Sequence, residues 1–177
     1  MTSLPVAAPP VSVEQHLVVD DRPVTAVALP DRVVVADRLR LDEQLCFALY
    51  AATNEIVRAY RPLLAELGLT YPQYLLLMAL WEHDDQTVTE LAETLRLPAH
   101  GLLPVLTRLE QSDLLLRNRD AADRRVVRIT LTPGGRALER RAARVQHRVA
   151  CQTRLPAAAL AELRTQLHHL SQDLGGD

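Results

Sequence analysis

The chain has 177 residues, of which 48% are hydrophobic and only 3% aromatic, with a formal net charge of −2 at pH 7. This length suffices for one domain with a buried core, and a core vocabulary of leucine, alanine and valine favours packed helices over a β-sandwich. Because the sequence has two cysteines, no apolar run of membrane-spanning length and no leader-like N-terminus, it excludes transmembrane and disulfide-rich secreted classes and predicts a cytoplasmic protein.

Charge is distributed unevenly along the chain. Between Arg108 and Arg148 there are 11 arginines against 5 acidic residues, whereas residues 1–45 hold 4 arginines against 7 acidic residues. A basic segment beside an acidic one is typical of proteins with a polyanionic partner. Every fixed basic side chain is arginine, since the sequence contains no lysine.

The first 40 residues differ in composition from the rest. Residues 1–40 are Pro-rich at the start and then carry short Val-rich runs, which predicts an extended segment or a small β-hairpin. It is either an accessory arm without chemistry or an arm that shapes a dimer or contacts a partner. From Leu41 onward the pattern is helical, with Asp42 as the expected N-cap of a helix that reaches about Glu66 and Gly68 as its C-cap.

Three further helices follow in quick succession. The stretch 71–83 predicts a second helix, because proline in its first turn is tolerated there. The spacing Thr87-x-x-Glu90 is that of a capping box and opens a short third helix. A fourth helix is expected to start at Pro98.

The remainder of the chain predicts a β-hairpin and two closing helices. Two β-prone runs, 114–118 and 126–131, flank a charged loop, and Pro156 separates the two helices that follow. The predicted fold is therefore mainly α with a small β-hairpin wing, the plan of a winged helix-turn-helix. The predicted divisions are an N-terminal extension, a dimerisation and sensor helix, the winged helix-turn-helix and C-terminal dimerisation helices: 1–40, 41–71, 72–132 and 133–177.

Several side chains of the helix pair and hairpin are candidates for DNA contact. In a winged helix-turn-helix the second helix enters the major groove, and the hairpin tip lies near the backbone or the minor groove. The tip carries Arg119, Asp123, Arg124 and Arg125; arginine suits a narrow minor groove, and a nearby aspartate can hold its guanidinium. Without the preceding helix pair, the same charges would fit a solvated hairpin equally well.

At this point the sequence resembles the MarR family of winged-helix regulators. Asp123-Arg124-Arg125 matches the Asp-x-Arg wing signature of that family, and "LTPGGRAL" at 131–138 is similar to its leucine-threonine-x-x-glycine step. The resemblance runs from about Leu41 to Leu174. It implies a homodimer formed by the N- and C-terminal helices, bound to a double-stranded DNA operator.

The recognition helix departs from the family pattern. It reads "PAHGLLP" at 98–104, where relatives commonly carry small hydroxyl residues. Alanine and leucine offer a base edge only apolar contact, so His100, Thr107 and Arg108 are the polar groups left for direct readout. We hypothesise an atypical operator, or greater use of wing and backbone contacts, which a steep salt dependence of binding would reveal.

The first predicted helix carries a cysteine stripe. Cys46, Tyr50, Thr53, Val57 and Tyr60 are spaced 4, 3, 4 and 3 residues apart, so they share one face. Near the helix N-terminus the dipole favours a thiolate, the form that reacts with peroxides. A small apolar core residue is the alternative interpretation of Cys46.

The tyrosines that could partner Cys46 are too distant in the same chain. Tyr60 lies 14 residues beyond Cys46, which is about 21 Å along a continuous helix. If Cys46, Tyr60 and Tyr71 form one site, that site therefore lies across a dimer interface in which the helix packs against its copy.

The motifs "LDEQLCFALY" at 41–50 and "TYPQY" at 70–74 resemble the organic-hydroperoxide-sensing, OhrR-type branch of the MarR family. The resemblance implies that Cys46 is the redox sensor and that Tyr60 and Tyr71 of the partner subunit hydrogen-bond to it. It also implies an organic hydroperoxide as inducer, and Cys151 as a resolving thiol that forms an intersubunit disulfide. The expected sensor pocket is lined by Phe47, Leu49, Tyr50 and Trp81.

Three other functions are alternatives for this sequence. A thiol peroxidase would place an arginine beside its cysteine, whereas Leu45 and Phe47 flank Cys46. A MarR-type repressor that responds to a small phenolic or other ligand without redox chemistry is the stronger alternative. A metal sensor is disfavoured because the adjacent His168 and His169 diverge by about 100° on a helix. The sequence therefore predicts a regulator without enzymatic activity, metal or cofactor.

Overall fold

The structure, a computed structural model, describes residues 39–120 and 123–175. The predicted N-terminal extension, 1–40, lies outside these ranges apart from its last two residues. The described part contains six α-helices and three β-strands: α1 (Leu45–Ala65), α2 (Tyr71–Glu82), β1 (Gln86–Thr87), α3 (Val88–Leu95), α4 (Ala99–Gln111), β2 (Leu115–Arg119), β3 (Val127–Leu131), α5 (Pro133–Gln152) and α6 (Ala157–Gly175). The predicted fold class, mainly α with a hairpin wing, is confirmed.

The start of α1 differs from the prediction. Its N-cap is Gln44, and Asp42, the predicted cap, lies in a separate 3₁₀ turn, Leu41–Glu43. The Asp42 carboxylate accepts a hydrogen bond of 2.8 Å from Arg40, which lowers the pKa of Asp42 and keeps the carboxylate away from the helix amides. The prediction of Asp42 as cap was therefore wrong, and Cys46 is the second residue of the helix.

α1 ends at Ala65 with Glu66 as its C-cap, close to the predicted end, and Gly68, the predicted cap, follows in the left-handed turn that terminates the helix. Its φ is 71°, in the left-handed region where a side chain would be strained. The Leu69 amide donates to the Leu64 carbonyl at 3.0 Å, and the Gly68 amide to Ala65 at 3.0 Å. This paired arrangement satisfies carbonyls that the helix end would otherwise leave unbonded.

The three strands form an antiparallel sheet in the order β1-β3-β2. β2 and β3 are the predicted hairpin, with Leu115 opposite Leu131 and Arg119 opposite Val127. β1 was not predicted, because two residues are too few to show an alternating pattern. It pairs Gln86 with Ile129 and so ties the wing to the loop that precedes α3.

The core lies where α2 meets the helix pair and the wing. α2 is the central helix, since six of its twelve residues are buried. Each large apolar side chain taken from water stabilises the fold by about 1.5–3 kcal/mol. The largest fully buried side chains come from α1, α2, α3, α4 and the sheet: Leu64, Leu76, Leu77, Leu80, Leu91, Leu102, Leu106, Leu109, Leu115 and Ile129.

Candidate nucleic-acid interface and sensor site

α3 and α4 form the helix-turn-helix pair. The predicted capping box is confirmed: Oγ1 of Thr87 accepts from the Glu90 amide at 3.2 Å, and Glu90 Oε2 accepts from the Thr87 amide at 2.7 Å. The turn between the helices is made by Arg96, with a left-handed φ of 51°. α4 buries one face in the core and leaves His100 and Arg108 exposed on the other.

The exposed Thr107 hydroxyl, a candidate for base contact, is occupied by hydrogen bonds within the protein. Its hydroxyl donates to the Leu103 carbonyl at 2.9 Å and accepts from Nη2 of Arg117 at 2.6 Å. Nε of Arg117 lies 2.9 Å from Oε2 of Glu110. This Nε makes no hydrogen bond, so opposite charge is what holds the pair together. The Thr107 hydroxyl therefore has no proton left to offer to a base.

The wing tip is organised by Asp123. Its carboxylate accepts from the Arg125 amide at 3.0 Å and from Nε and Nη2 of the same arginine, each at 3.1 Å. These hydrogen bonds lower the pKa of Asp123. Arg119, Arg124 and Arg125 are all exposed, so the tip presents three guanidinium groups, one held in a fixed pose.

Sequence reasoning missed the arginines that join the wing to the rest of the protein. Arg128 of β3 donates to Oδ1 of Asp85 at 2.8 Å, and its Nη1 lies 3.9 Å from Asp120. Arg136 of α5 pairs with Asp84. The adjacent Asp84 and Asp85 immediately before β1 were the available signal, but only the pairing of β1 with β3 brings them to these arginines.

Three of the four tyrosines, Tyr60 of α1 with Tyr71 and Tyr74 of α2, come together in one cluster. The ring centroids of Tyr60 and Tyr71 are 5.3 Å apart, those of Tyr60 and Tyr74 are 5.5 Å apart, and Trp81 lies 6.4 Å from Tyr74. Burial raises the pKa of all three tyrosines above that of a free phenol. The phenols therefore stay protonated at neutral pH and can donate hydrogen bonds.

Cys46 lies far from this cluster within its own chain. α1 is a single helix from Leu45 to Ala65 that contains both Cys46 and Tyr60, and their separation of 14 residues corresponds to about 21 Å. The Cys46 side chain is exposed. Cys46 is thus an accessible thiol in the first turn of a helix, where unpaired amides concentrate positive potential.

The four residues of the expected sensor pocket are not brought together within one chain. Trp81 lines a cavity of about 280 Å³ between α2 and α5, and donates a hydrogen bond of 2.9 Å to the Gly135 carbonyl. Leu49 lines a different groove, with residues of α6. Phe47 and Tyr50 are exposed on the N-terminal part of α1.

Cys151, the candidate resolving thiol, lies near the end of α5. It is exposed, and its Sγ is 3.9 Å from Nδ1 of His147 one turn earlier. Cys46 and Cys151 are both free thiols and are not within disulfide distance in one chain.

A helix-turn-helix pair, a three-stranded wing and an arginine-rich hairpin tip together define a winged-helix DNA-binding regulator. Within residues 39–120 and 123–175, no helix combines the length and apolar character that a bilayer crossing requires. The same residues hold no group of three or more His, Cys, Asp or Glu side chains arranged to bind a metal ion.

Comparison with known sequences gives the family. Residues 58–140 match the family model of the SarA/Rot transcriptional regulators. The organic hydroperoxide resistance transcriptional regulator of Bacillus subtilis is 39% identical over 138 residues, which are 78% of this chain and 94% of the relative. The HTH-type transcriptional regulator TtmR of Methylorubrum extorquens is 42% identical over 155 residues, which are 81% of this chain and 80% of the relative. The chain belongs to the MarR family of winged-helix transcriptional regulators.

Solved structures support the same class. The structure of reduced AbfR bound to DNA is 34% identical, with a TM-score of 0.59 over 75% of this chain and 96% of that chain. The structure of the disulfide form of AbfR, a protein of Staphylococcus epidermidis, is 33% identical, with a TM-score of 0.55 over 76% of this chain and 89% of that chain. DNA binding and transcription regulation follow from these relationships and from the fold.

Proposed function

We propose that this regulator is a homodimeric repressor that senses organic hydroperoxides by oxidation of Cys46 and then releases its operator. Cys151 of the partner subunit is the resolving thiol in this proposal. The resemblance of the sensor motifs, the similarity to a hydroperoxide resistance regulator and the disulfide form of AbfR all support it.

The observation that carries the proposal is the separation of Cys46 from an assembled tyrosine cluster. Tyr60 and Tyr71 are held against each other with protonated hydroxyls, yet Cys46 lies at the other end of the same helix. A second copy packed antiparallel along α1 would bring its Cys46 to these hydroxyls. There they would donate hydrogen bonds to the thiolate and to the peroxide oxygen.

The apolar surface of the terminal helices supports a second copy. Within α1, burial reaches only Leu63 and Leu64, and none of residues 157–175 in α6 is buried. Large apolar side chains are instead exposed along both helices: Leu45, Phe47, Tyr50, Ile56, Leu163, Leu167 and Leu174. An apolar surface of this extent typically lies in an interface, and a symmetric dimer would cover both helices at once.

The proposed reaction has two steps. The Cys46 thiolate attacks the peroxide oxygen distal to the organic group, so that Cys46 becomes a sulfenic acid and the oxidant leaves as an alcohol. The Cys151 thiol then displaces the sulfenic oxygen as water and forms the disulfide. Because a disulfide requires Cα atoms within about 7 Å, closing it moves the dimer helices and spoils the spacing of the two recognition helices.

The DNA contacts belong to the proposal as well. Insertion of α4 in the major groove would direct His100 and Arg108 to the DNA, while the wing tip would follow the adjacent backbone or minor groove. The residues proposed for DNA binding are His100, Arg108, Arg119, Asp123, Arg124 and Arg125, whereas Thr107 takes part through its hydrogen bond with Arg117.

A non-reducing gel of the purified protein treated with cumene hydroperoxide tests the proposal, beside Cys46→Ser and Cys151→Ser. We expect a covalent dimer that requires both cysteines and that no longer binds DNA. Oxidation of Cys46 without a linked dimer would refute Cys151 as resolving thiol. An unreactive Cys46 would refute redox sensing and favour a receptor for a small ligand.

A further inference from the structure

We propose that Arg117 is a positioning residue for sequence-specific DNA binding, which clamps the recognition helix α4 to the wing strand β2. Arg117, Thr107 and Glu110 together form this brace. This proposal depends only on DNA binding. A test of it can therefore succeed or fail whether or not the protein senses hydroperoxides.

The contacts of the brace span two elements. Arg117 lies on β2, and its guanidinium reaches two side chains of α4: the Thr107 hydroxyl at 2.6 Å and the Glu110 carboxylate at 2.9 Å. Only 24% of the Arg117 side chain is exposed. Thr107 and Glu110 are three residues apart, so they lie on the same face of the helix. One arginine therefore fixes both the rotation and the distance of α4 relative to the wing.

α4 needs such a clamp because its own helical structure is weak in the middle. Pro104 lies inside the helix and has no amide proton, so it removes the hydrogen bond that the His100 carbonyl would accept. Gly101 adds a second poor helix former to the same half. The Thr107 hydroxyl donates to the Leu103 carbonyl. Through Thr107, Arg117 is therefore linked to the turn of α4 that precedes Pro104.

The brace acts on specificity because α4 and the wing contact different grooves. A sequence is discriminated when both elements meet their sites at the same time, whereas non-specific affinity follows the number of phosphate contacts. The guanidinium of Arg117 pairs with the Glu110 carboxylate and donates a hydrogen bond to the Thr107 hydroxyl, so it is not free to contact a phosphate. It therefore contributes to the pose of the reading surface and not to the phosphate count.

The test uses the reduced protein and a duplex enriched by it from a library of random sequences, with a scrambled duplex of equal length as the non-specific probe. Glu110→Gln is the decisive variant, because the loss of a negative charge and the loss of the brace predict opposite changes in DNA affinity. Loss of a carboxylate near DNA would tighten binding, whereas loss of the brace weakens it. We expect Glu110→Gln to bind the enriched duplex about tenfold more weakly, comparable to one lost base contact, with unchanged affinity for the scrambled duplex.

Two controls complete the design. Glu93→Gln on α3 removes the same charge from an exposed position outside the brace, and isolates the electrostatic effect. Arg119→Gln removes an arginine from the same face of β2, and should lower both affinities and the salt dependence of binding. Arg117→Gln should instead keep the salt dependence of binding but lose the preference for the enriched duplex over the scrambled one. Arg117→Lys should retain part of that preference.

Three results would overturn the brace. The first is Glu110→Gln binding the enriched duplex as tightly as the wild type or more tightly. The second is Arg117→Gln reducing the salt dependence as Arg119→Gln does, which would make Arg117 a phosphate contact. The third is failure of the wild type to enrich any sequence, since a protein without specificity has none to position.

Discussion

At the scale of single residues, the tyrosine cluster determines how stability depends on pH. Burial raises the pKa values of Tyr60, Tyr71 and Tyr74, so folding favours their protonated forms. The tyrosines of the unfolded chain ionise near pH 10. Above that pH, deprotonation lowers the free energy of the unfolded state more than that of the folded state. On the alkaline side, the tyrosine contribution to the free energy of unfolding should therefore be constant from neutral pH to about pH 10 and fall above it.

Urea unfolding between neutral pH and pH 11 checks this expectation. The chain contains no lysine, so tyrosine dominates the alkaline titration once both cysteines are replaced by serine. Tyr74→Phe should make the decline shallower than in the parent protein. A decline of equal slope in the two proteins would show that the cluster is not its source.

The hydroxyl of Tyr71 provides a second expectation at this scale. Tyr71→Phe keeps the ring in the cluster and removes only the hydrogen-bond donor proposed to serve Cys46. A hydrogen bond to a charged partner contributes roughly 1.5–3 kcal/mol, so oxidation of Cys46 by cumene hydroperoxide should slow about tenfold or more. Tyr74→Phe removes the hydroxyl that interacts with Tyr60 and not one proposed to reach Cys46, so it should slow the oxidation less than Tyr71→Phe does. Equal rates in Tyr71→Phe and wild type would remove Tyr71 from the sensor.

At the scale of elements, the junction of the wing with α5 allows no extra atom at one of two adjacent glycines. A Cβ on Gly135 would lie 2.0 Å from the Leu114 carbonyl oxygen, whereas a Cβ on Gly134 would meet nothing closer than 3.4 Å. Gly135→Ala should therefore destabilise the protein by about 3 kcal/mol, the upper range of overpacking. Gly134→Ala should be neutral or stabilising by up to about 1 kcal/mol, because alanine is the better helix former. Thermal unfolding of both variants measures the contrast.

The elements that the sequence predicted are those whose signals are local. The Thr87–Glu90 capping box and the Gly68 helix end depend on residues within one or two turns, and both were predicted correctly. Asp42 failed as a cap because it had a competing partner in Arg40, which the capping preference alone does not weigh. β1 and the contacts of Arg128 bring together residues distant in sequence. The contacts of Arg117 join a strand to a helix, so no pattern within one element predicted them.

At the scale of the whole molecule, the candidate site could be predicted only as a set of residues. If Cys46 and Tyr60 belong to one site, their spacing places that site across two subunits, because the separation follows from helix geometry alone. The lining of the sensor pocket could not be predicted in the same way, because Trp81 and Leu49 line different cavities of one chain. Which residues line a pocket across two chains depends on how the chains dock, and the sequence of one chain does not specify that arrangement.

The exposed face of α6 gives the expectation that tests the assembly itself. Leu163 is 45% exposed and lies in the middle of a helix that buries none of its residues 157–175 in its own chain. Leu163→Glu should therefore leave the subunit folded but place a charge in the dimer interface. We expect a monomer by sedimentation, with helical content retained by circular dichroism. DNA affinity should fall about a hundredfold, because two linked half-sites gain that much from simultaneous binding.

His169→Glu is the matched control for the interface, since it introduces the same charge at an exposed position of the same helix and should leave the dimer intact. The pair separates two roles that α6 could have. If α6 served only to cover its own chain, Leu163→Glu would cost stability without changing the mass in solution. A dimer that persists in Leu163→Glu would show that α6 is not needed for the interface. The approach of Cys46 of one subunit to Tyr60 of the other would then depend on contacts along α1 alone. Peroxide-driven release of DNA by this variant would then measure whether α1 alone transmits the signal.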